Sequence, residues 1–231
     1  IAWVFAADDR LERCADEAEA SACAATLVAT RETNAIDPSS LAWDGVRGRL
    51  SVFGSQRRHA VSFVAHVHEF LDACVWETAN RQRRSPPSVE SYRRMRPYTG
   101  ATWPFLRMAL AIGNVSLEAE LHPVRQRLLA QAAWLPCLAN DLVSVDKELA
   151  AGDFHNIVIL QMRERSASER DTRQLFALEY EQAHAAFADA LAAEDLPLNL
   201  EQRRLIAQLV TGADRWQASD ARYRVLEREP V

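Results

Sequence analysis

Asn140-Asp141-Leu142-Val143-Ser144-Val145-Asp146-Lys147-Glu148 is the stretch on which the reading of this chain turns. On a helix advancing about 100° per residue, Asn140, Ser144 and Glu148 stand at i, i+4 and i+8 and share one stripe, drifting by roughly 40° at each step. An amide oxygen, a hydroxyl and a carboxylate are hard ligands that suit Mg²⁺ or Mn²⁺ and suit Zn²⁺ or copper poorly. Lys147 is the only lysine among the 27 Lys and Arg residues. A compact ammonium kept beside the stripe suits a phosphate oxygen. The same spacing also fits a solvated helix face, on which Asn and Ser carry only a mild helix penalty.

A second acidic group lies near the start, at Asp8-Asp9-Arg10-Leu11-Glu12. Asp8 and Glu12 are i, i+4, and Asp9 and Glu12 are i, i+3, so like charges are packed on one helix face, a cost that a cation would offset. An acidic helix start facing the macrodipole is the plainer alternative. Farther along, a helix carrying Arg93, Arg94 and Arg96 meets Pro97 and Gly100, residues that kink or open a helix and free backbone carbonyls.

Taken together these stretches resemble the class I terpene synthases of bacterial type. Asn-Asp-x-x-Ser-x-x-Lys-Glu is similar to the family's second metal motif. The resemblance implies that Asn140, Ser144 and Glu148 bind Mg²⁺ and that Lys147 contacts the substrate diphosphate. Asp8, Asp9 and Glu12 resemble the Asp-rich first motif, with Asp8 the main ligand and Glu closing it in place of Asp. The Tyr-x-x-x-Arg-x-x-x-Gly pattern implies Arg96 as diphosphate sensor, Thr99 as linker and Gly100 as effector, with Arg94 the alternative sensor. Trp216 to Tyr223 resembles the C-terminal Arg-Tyr motif, which assigns Arg222 and Tyr223 to the diphosphate. Gly152 to Val158 is also similar to the family, and no catalytic role is assigned there. Phe5 and Trp216 are candidate aromatics of the apolar pocket, where a ring face attracts a carbocation by about 0.5 to 2 kcal/mol.

The resemblance implies an all-α helical bundle of the isoprenoid synthase type, a single α-domain over residues 1–231. It implies Mg²⁺-dependent (or Mn²⁺-dependent) ionisation of a prenyl diphosphate, farnesyl or geranyl, to an allylic cation, with a terpene, cyclic rather than linear, and diphosphate released. The family usually has several helices ahead of its first acidic motif, whereas seven residues precede Asp8. The chain is therefore expected either to be a fragment or to lack those N-terminal helices. A prenyl-chain-elongating synthase of the same fold has an Asp-rich second motif, against which Asn140 and Ser144 speak. A non-catalytic helical scaffold is the remaining alternative.

Composition agrees with a helix-rich globule: 231 residues with 48% hydrophobic, 26% charged and 7 Gly. No run approaches the twenty or so apolar residues of a membrane span. A net charge of −5 gives no electrostatic case for nucleic acid. The partner expected is a small prenyl diphosphate, and a homodimer is allowed. Cys14, Cys23, Cys74 and Cys137 form no Cys-x-x-Cys pair, which points away from a disulfide framework or zinc site and towards a reducing cytoplasm. The apolar opening, Ile1 to Ala7, has no basic n-region and is not read as a signal peptide. Heavy Ala and Arg usage points to a GC-rich bacterial genome.

The periodicity predicts one helix over residues 1 to about 33, a short helix and loop over 41–54, and helices over 56–84, 103–115, 117–150, 167–194 and 199–227, with Pro136 bending the fifth of these regions. His66 and His68 face apart on their helix, and neither they nor His155 are assigned a metal.

Overall fold

In a computed structural model the described residues are 2–28, 57–113, 115 and 123–219. Among them every regular element is a helix: α1 (Ala2–Leu11), α2 (Glu17–Val28), α3 (Arg57–Arg83), α4 (Val89–Thr99), α5 (Thr102–Ile112), α6 (Pro123–Ala151), α7 (Ile157–Arg165), α8 (Glu169–Ala192) and α9 (Leu200–Ser219). The expected all-α class is what the chain adopts. The expected segment 41–54 lies outside the described residues. The helices gather into two compact units, Ile1–Ser85 with Pro97–Leu117, and Pro86–Arg96 with Glu118–Val231.

The first unit is built on small and apolar residues at helical spacing. Trp3, Ala7 and Leu11 form one stripe of α1, Ala20, Ala24 and Leu27 one stripe of α2, and Phe63, Val67, Phe70, Leu71 and Cys74 line α3. Alanines at the contact positions let the α1 and α2 backbones approach α3 closely. The single helix expected over residues 1–33 is corrected here: α1 stops at Leu11 and α2 starts at Glu17. The break has a local cause. Asp16 accepts from the Glu19 backbone N–H at 2.7 Å, and the Glu19 carboxylate reaches back to the Ala15 N–H at 2.6 Å. This Asp16 cap, with Glu19 reaching back to the residue before it, outcompetes helix continuation. Thr78 and Gln82 of α3 then donate to the Leu11 and Cys14 carbonyls at 3.3 and 3.4 Å, and Arg83 pairs with Glu17.

The second unit is organised by α6, whose Leu128, Ala132, Leu135, Leu138 and Val145 are fully buried. The helix runs through Pro136 without interruption. It is the one helix among the described residues long and apolar enough to cross a membrane, yet 67% of that apolar window is buried inside the protein. Arg93 of α4 grips Glu179 of α8 with two hydrogen bonds of 2.7 and 2.6 Å. Its guanidinium also lies 5.1 and 5.5 Å from the Trp134 and Phe176 ring centroids. Arg203 of α9 donates to the carbonyls of Leu191, Ala193, Leu196 and Leu198, closing the end of α8 and the turn beyond it.

α6 ends in a Schellman turn. The Gly152 N–H bonds the Leu149 carbonyl at 3.2 Å and the Asp153 N–H bonds that of Glu148 at 3.0 Å. Gly152 adopts φ +70°, which a residue without Cβ reaches at no steric cost. The turn leads straight into α7, a helix the periodicity did not predict, and so brings Asn156 and Ile157 back against Asp141 and Glu148 of α6.

Candidate active site

The second unit assembles a buried polar group from three places: Tyr92 and Arg96 one turn apart on α4, Asn140, Asp141, Ser144 and Glu148 on α6, and Asn156 and Ile157 at the start of α7. Arg96 donates through Nε to Asp141 Oδ1 at 2.9 Å and through Nη2 to Asn140 Oδ1 at 2.7 Å. Asp141 is wholly buried, and its other oxygen accepts from the Tyr92 hydroxyl at 3.0 Å and the Ile157 N–H at 2.9 Å. Tyr92 also lies 2.9 Å from the His155 carbonyl, so one hydroxyl proton serves two acceptors. Ser144 donates to the Asn140 carbonyl at 2.7 Å.

Glu148 closes the stripe. Its Oε2 accepts from the Asn156 amide at 2.6 Å, and the same nitrogen donates to the Asp141 carbonyl at 2.7 Å. Asn156 spends its remaining oxygen on the Val158 N–H at 2.9 Å as N-cap of α7. Burial and then the negative charge of Asp141 push the Glu148 carboxyl up to about 8, against the pull of Arg96 and the hydrogen bonds from Asn156 and Ser144. Burial likewise raises Asp141, with Arg96 opposing.

These residues fit a divalent cation by the chemistry of the donor set. Among the described residues no three His, Cys, Asp or Glu side chains converge as a metal group. An ion here would rest on the amide oxygen of Asn140, the hydroxyl of Ser144 and the single carboxylate of Glu148, the oxygen-only environment Mg²⁺ or Mn²⁺ favours. The Glu148 carboxylate, half-buried beside the charge of Asp141, is short of positive charge, which a cation would supply.

The other expected residues fall as follows. Lys147 is exposed on α6 beside the stripe, and Trp216 is half-buried on α9. Its neighbour Gln217 donates to the Pro136 carbonyl at 2.9 Å, one turn before Asn140. Arg94, the alternative sensor, is exposed and bonds Glu90 and Ser91 of its own helix, both at 3.3 Å. Of the two expected sensors, Arg96 is the one that bonds the α6 stripe. Arg222, Tyr223 and the side chain of Phe5 lie outside the described residues.

In the first unit, Asp8 and Asp9 are half-buried near the end of α1, and Glu12 is exposed just past it. A Glu12 N–H to Asp8 carbonyl bond of 2.9 Å keeps the helical register that puts both on one face. The Cys74 thiol, raised by burial and then by the Asp8 charge, donates to Asp8 Oδ1 at 3.8 Å. Thr99 is buried at the end of α4. The helix opens at Gly100 and Ala101, beyond Pro97, and Ala101 takes the left-handed conformation at φ 53°. Thr102 Oγ1 answers the Pro97 carbonyl at 2.8 Å.

Tyr92, Asp141 and Asn156 were not predicted as part of the site. Tyr92 stands one turn before Arg96, and Asp141 sits inside the quoted stretch about 100° off its ligand stripe. Both signals were readable. Nothing in the sequence marked the return of Asn156 onto Glu148.

A family model described as "Terpene synthase family 2, C-terminal metal binding" matches residues 1–185. The (-)-delta-cadinene synthase of Streptomyces clavuligerus is 30% identical over 197 residues, 82% of this chain and 60% of that protein. A (+)-T-muurolol synthase of Roseiflexus castenholzii, whose name states that it cyclises (2E,6E)-farnesyl diphosphate, is 33% identical over 108 residues, 46% of this chain and 33% of that protein. The solved linalool/nerolidol synthase from Streptomyces clavuligerus superposes with a TM-score of 0.79 at 17% identity, covering 93% of this chain and 78% of its own, a likeness of fold. The chain spans at most 60% of the length of these two sequence relatives.

Proposed function

The chain belongs to terpene synthase family 2, and on that premise we propose that it ionises a prenyl diphosphate, farnesyl diphosphate first, and releases a cyclic terpene and inorganic diphosphate. The two units act in this reading as one catalytic domain. The allylic C–O bond breaks heterolytically, and its electron pair leaves with the diphosphate oxygen. Two demands follow. The leaving group gains negative charge that must be held, and the cation left behind must be kept from water.

Divalent ions, when bound, would meet the first by supplying positive charge to the leaving diphosphate. Asn140, Ser144 and Glu148 would hold them from the second motif, and Asp8, Asp9 and Glu12 from the first. Arg96, Lys147, Arg222 and Tyr223 donate hydrogen bonds to the diphosphate. Asn156 orients the Glu148 carboxylate, and the Cys74 thiol does the same for Asp8. Thr99 and Gly100 carry the opened turn after α4, where a backbone carbonyl faces the substrate. Phe5 and Trp216 offer ring faces to the cation.

The observation that supports the reading most is the half-buried cation of Arg96, hydrogen-bonded to Asn140 at the head of the ligand stripe. Four cysteines left as free thiols agree with work in a reducing compartment, the cytoplasm. Incubation with geranyl, farnesyl and geranylgeranyl diphosphates, with Mg²⁺ and with chelator, tests it. Volatile hydrocarbon formed from one of them with metal alone is the expected result. Longer diphosphates, formed when isopentenyl diphosphate is added as the second substrate, would identify a chain-elongating enzyme, and no turnover of any would leave a scaffold.

A further inference from the structure

We propose that Asp141 is a positioning residue: it fixes the direction in which Arg96 presents its guanidinium and thereby sets how tightly the site grips a diphosphate. This rests on the terpene synthase reading above. Asp141 lies off the Asn140, Ser144, Glu148 stripe and is 0% exposed, so it does not reach substrate or metal from that face. Its two oxygens instead receive donors from two backbone segments, α4 and the start of α7. Oδ1 takes Arg96 Nε and Nη2, both at 2.9 Å. Oδ2 takes the Tyr92 hydroxyl at 3.0 Å and the Ile157 N–H at 2.9 Å.

Donors on both sides fix the rotation of the carboxylate, and a fixed carboxylate fixes a planar guanidinium. An arginine held by nothing spreads over many rotamers and loses that freedom only on binding. The Tyr92 hydroxyl, itself within 2.9 Å of the His155 carbonyl, braces the arrangement from α4, and the first N–H of α7 braces it from the far side. Metal-ligand support enters through the same carboxylate, because Nη2 of the oriented Arg96 bonds Asn140.

Simple electrostatics predicts the opposite sign to positioning, which makes the idea easy to break. Asp141 is an anion close to where a polyanion would bind, so its neutralisation should strengthen anion binding if charge were its only effect. Positioning predicts weakening.

The experiment titrates the 231-residue chain with inorganic pyrophosphate in the presence of Mn²⁺, and with Mn²⁺ alone, by calorimetry. Asp141→Asn is expected to weaken pyrophosphate binding about tenfold and to leave Mn²⁺ binding within about threefold of the wild type. Arg96→Gln is expected to weaken it at least as much. The double variant, which buries no net charge, should be no weaker than Arg96→Gln to within about twofold, because Asp141 acts through Arg96. Unchanged or tighter binding by Asp141→Asn, or a loss that adds in full to that of Arg96→Gln, overturns the proposal. Should Asp141→Asn not fold, Tyr92→Phe leaves both charges in place and removes one brace. It should weaken pyrophosphate binding about threefold, and wild-type binding by it overturns the proposal. If the wild type fails to bind pyrophosphate, or Arg96→Gln is silent, the reading of the site falls and the proposal with it. A silent Asp141→Asn beside an impaired Arg96→Gln sinks the proposal alone.

Discussion

Asn156 holds Glu148: its amide nitrogen lies 2.6 Å from Glu148 Oε2 and 2.7 Å from the Asp141 carbonyl, while its oxygen caps α7 through the Val158 N–H. One buried side chain thus orients the carboxylate at the end of the ligand stripe and starts the next helix. Asn156→Ala should lower Mn²⁺ affinity by about 10 to 100-fold, the usual cost of losing a partner that orients a metal ligand. It should also cost about 1 to 2 kcal/mol of stability through the lost cap. Calorimetric titration and a denaturant melt on the same variant read both. Loss of stability with full metal affinity would leave Asn156 as a cap only.

Lys147 is exposed on α6 and contributes no burial to the core. Lys147→Ala should therefore leave the melting temperature within about 1 to 2 °C of wild type, as surface substitutions usually do. Its expected effect falls on substrate, a rise of about tenfold in KM for the prenyl diphosphate, since a point charge on a phosphate oxygen is lost. Steady-state kinetics decides it, and an unchanged KM removes Lys147 from the diphosphate contacts.

The Asp16 and Glu19 pair ends α1 and begins α2, immediately after the acidic group of the first motif. Asp16→Ala should destabilise the chain by about 1 kcal/mol. Circular dichroism during thermal melting measures the loss. A neutral result would mean that packing of Ala20, Ala24 and Leu27 alone sets the start of α2.

Asp214 on α9 gives a pH dependence with a definite sign. Burial raises its carboxyl, against the Tyr180 hydrogen bond and the His184 charge. A carboxyl raised in the folded state favours folding while protonated, and that contribution is lost as pH climbs from its ordinary value through the raised one. Asp214→Asn keeps an acceptor for Tyr180 and removes the charge. Its melting temperature should exceed that of wild type at neutral pH, and the gap should shrink towards about pH 4. A gap that is constant across this range would contradict the burial cause.

Much of this architecture was written in local sequence. The i, i+4, i+8 spacing of Asn140, Ser144 and Glu148 needs only a helix to become a stripe, and α6 supplies it. Among the described residues α3, α5, α6, α8 and α9 sit near their expected bounds because their apolar positions repeat at 3.6 residues. The break between α1 and α2 was missed because an Ala-rich run reads as helix throughout, while the Asp16 cap that interrupts it is a matter of two hydrogen bonds. α7 was missed because its run Ile157, Val158, Ile159, Leu160 is buried all round and shows no amphipathic period. The polar pairings were missed for a different reason. Asp141 stands in a readable position, but its partners Tyr92 and Arg96 lie 49 and 45 residues away, and Asn156 meets Glu148 only because the turn at Gly152 folds the chain back.

In the proposed function the acidic face at Asp8 and the stripe ending at Glu148 serve one metal-bound diphosphate. Electron paramagnetic resonance of Mn²⁺, titrated into the chain with and without inorganic pyrophosphate, reads whether they do. Wild type should bind additional Mn²⁺ when pyrophosphate is present, and Asp8→Asn and Glu148→Gln should each abolish that pyrophosphate-dependent fraction. If each variant loses only a separate share, with the other share and its pyrophosphate response intact, the two motifs do not act on one ligand.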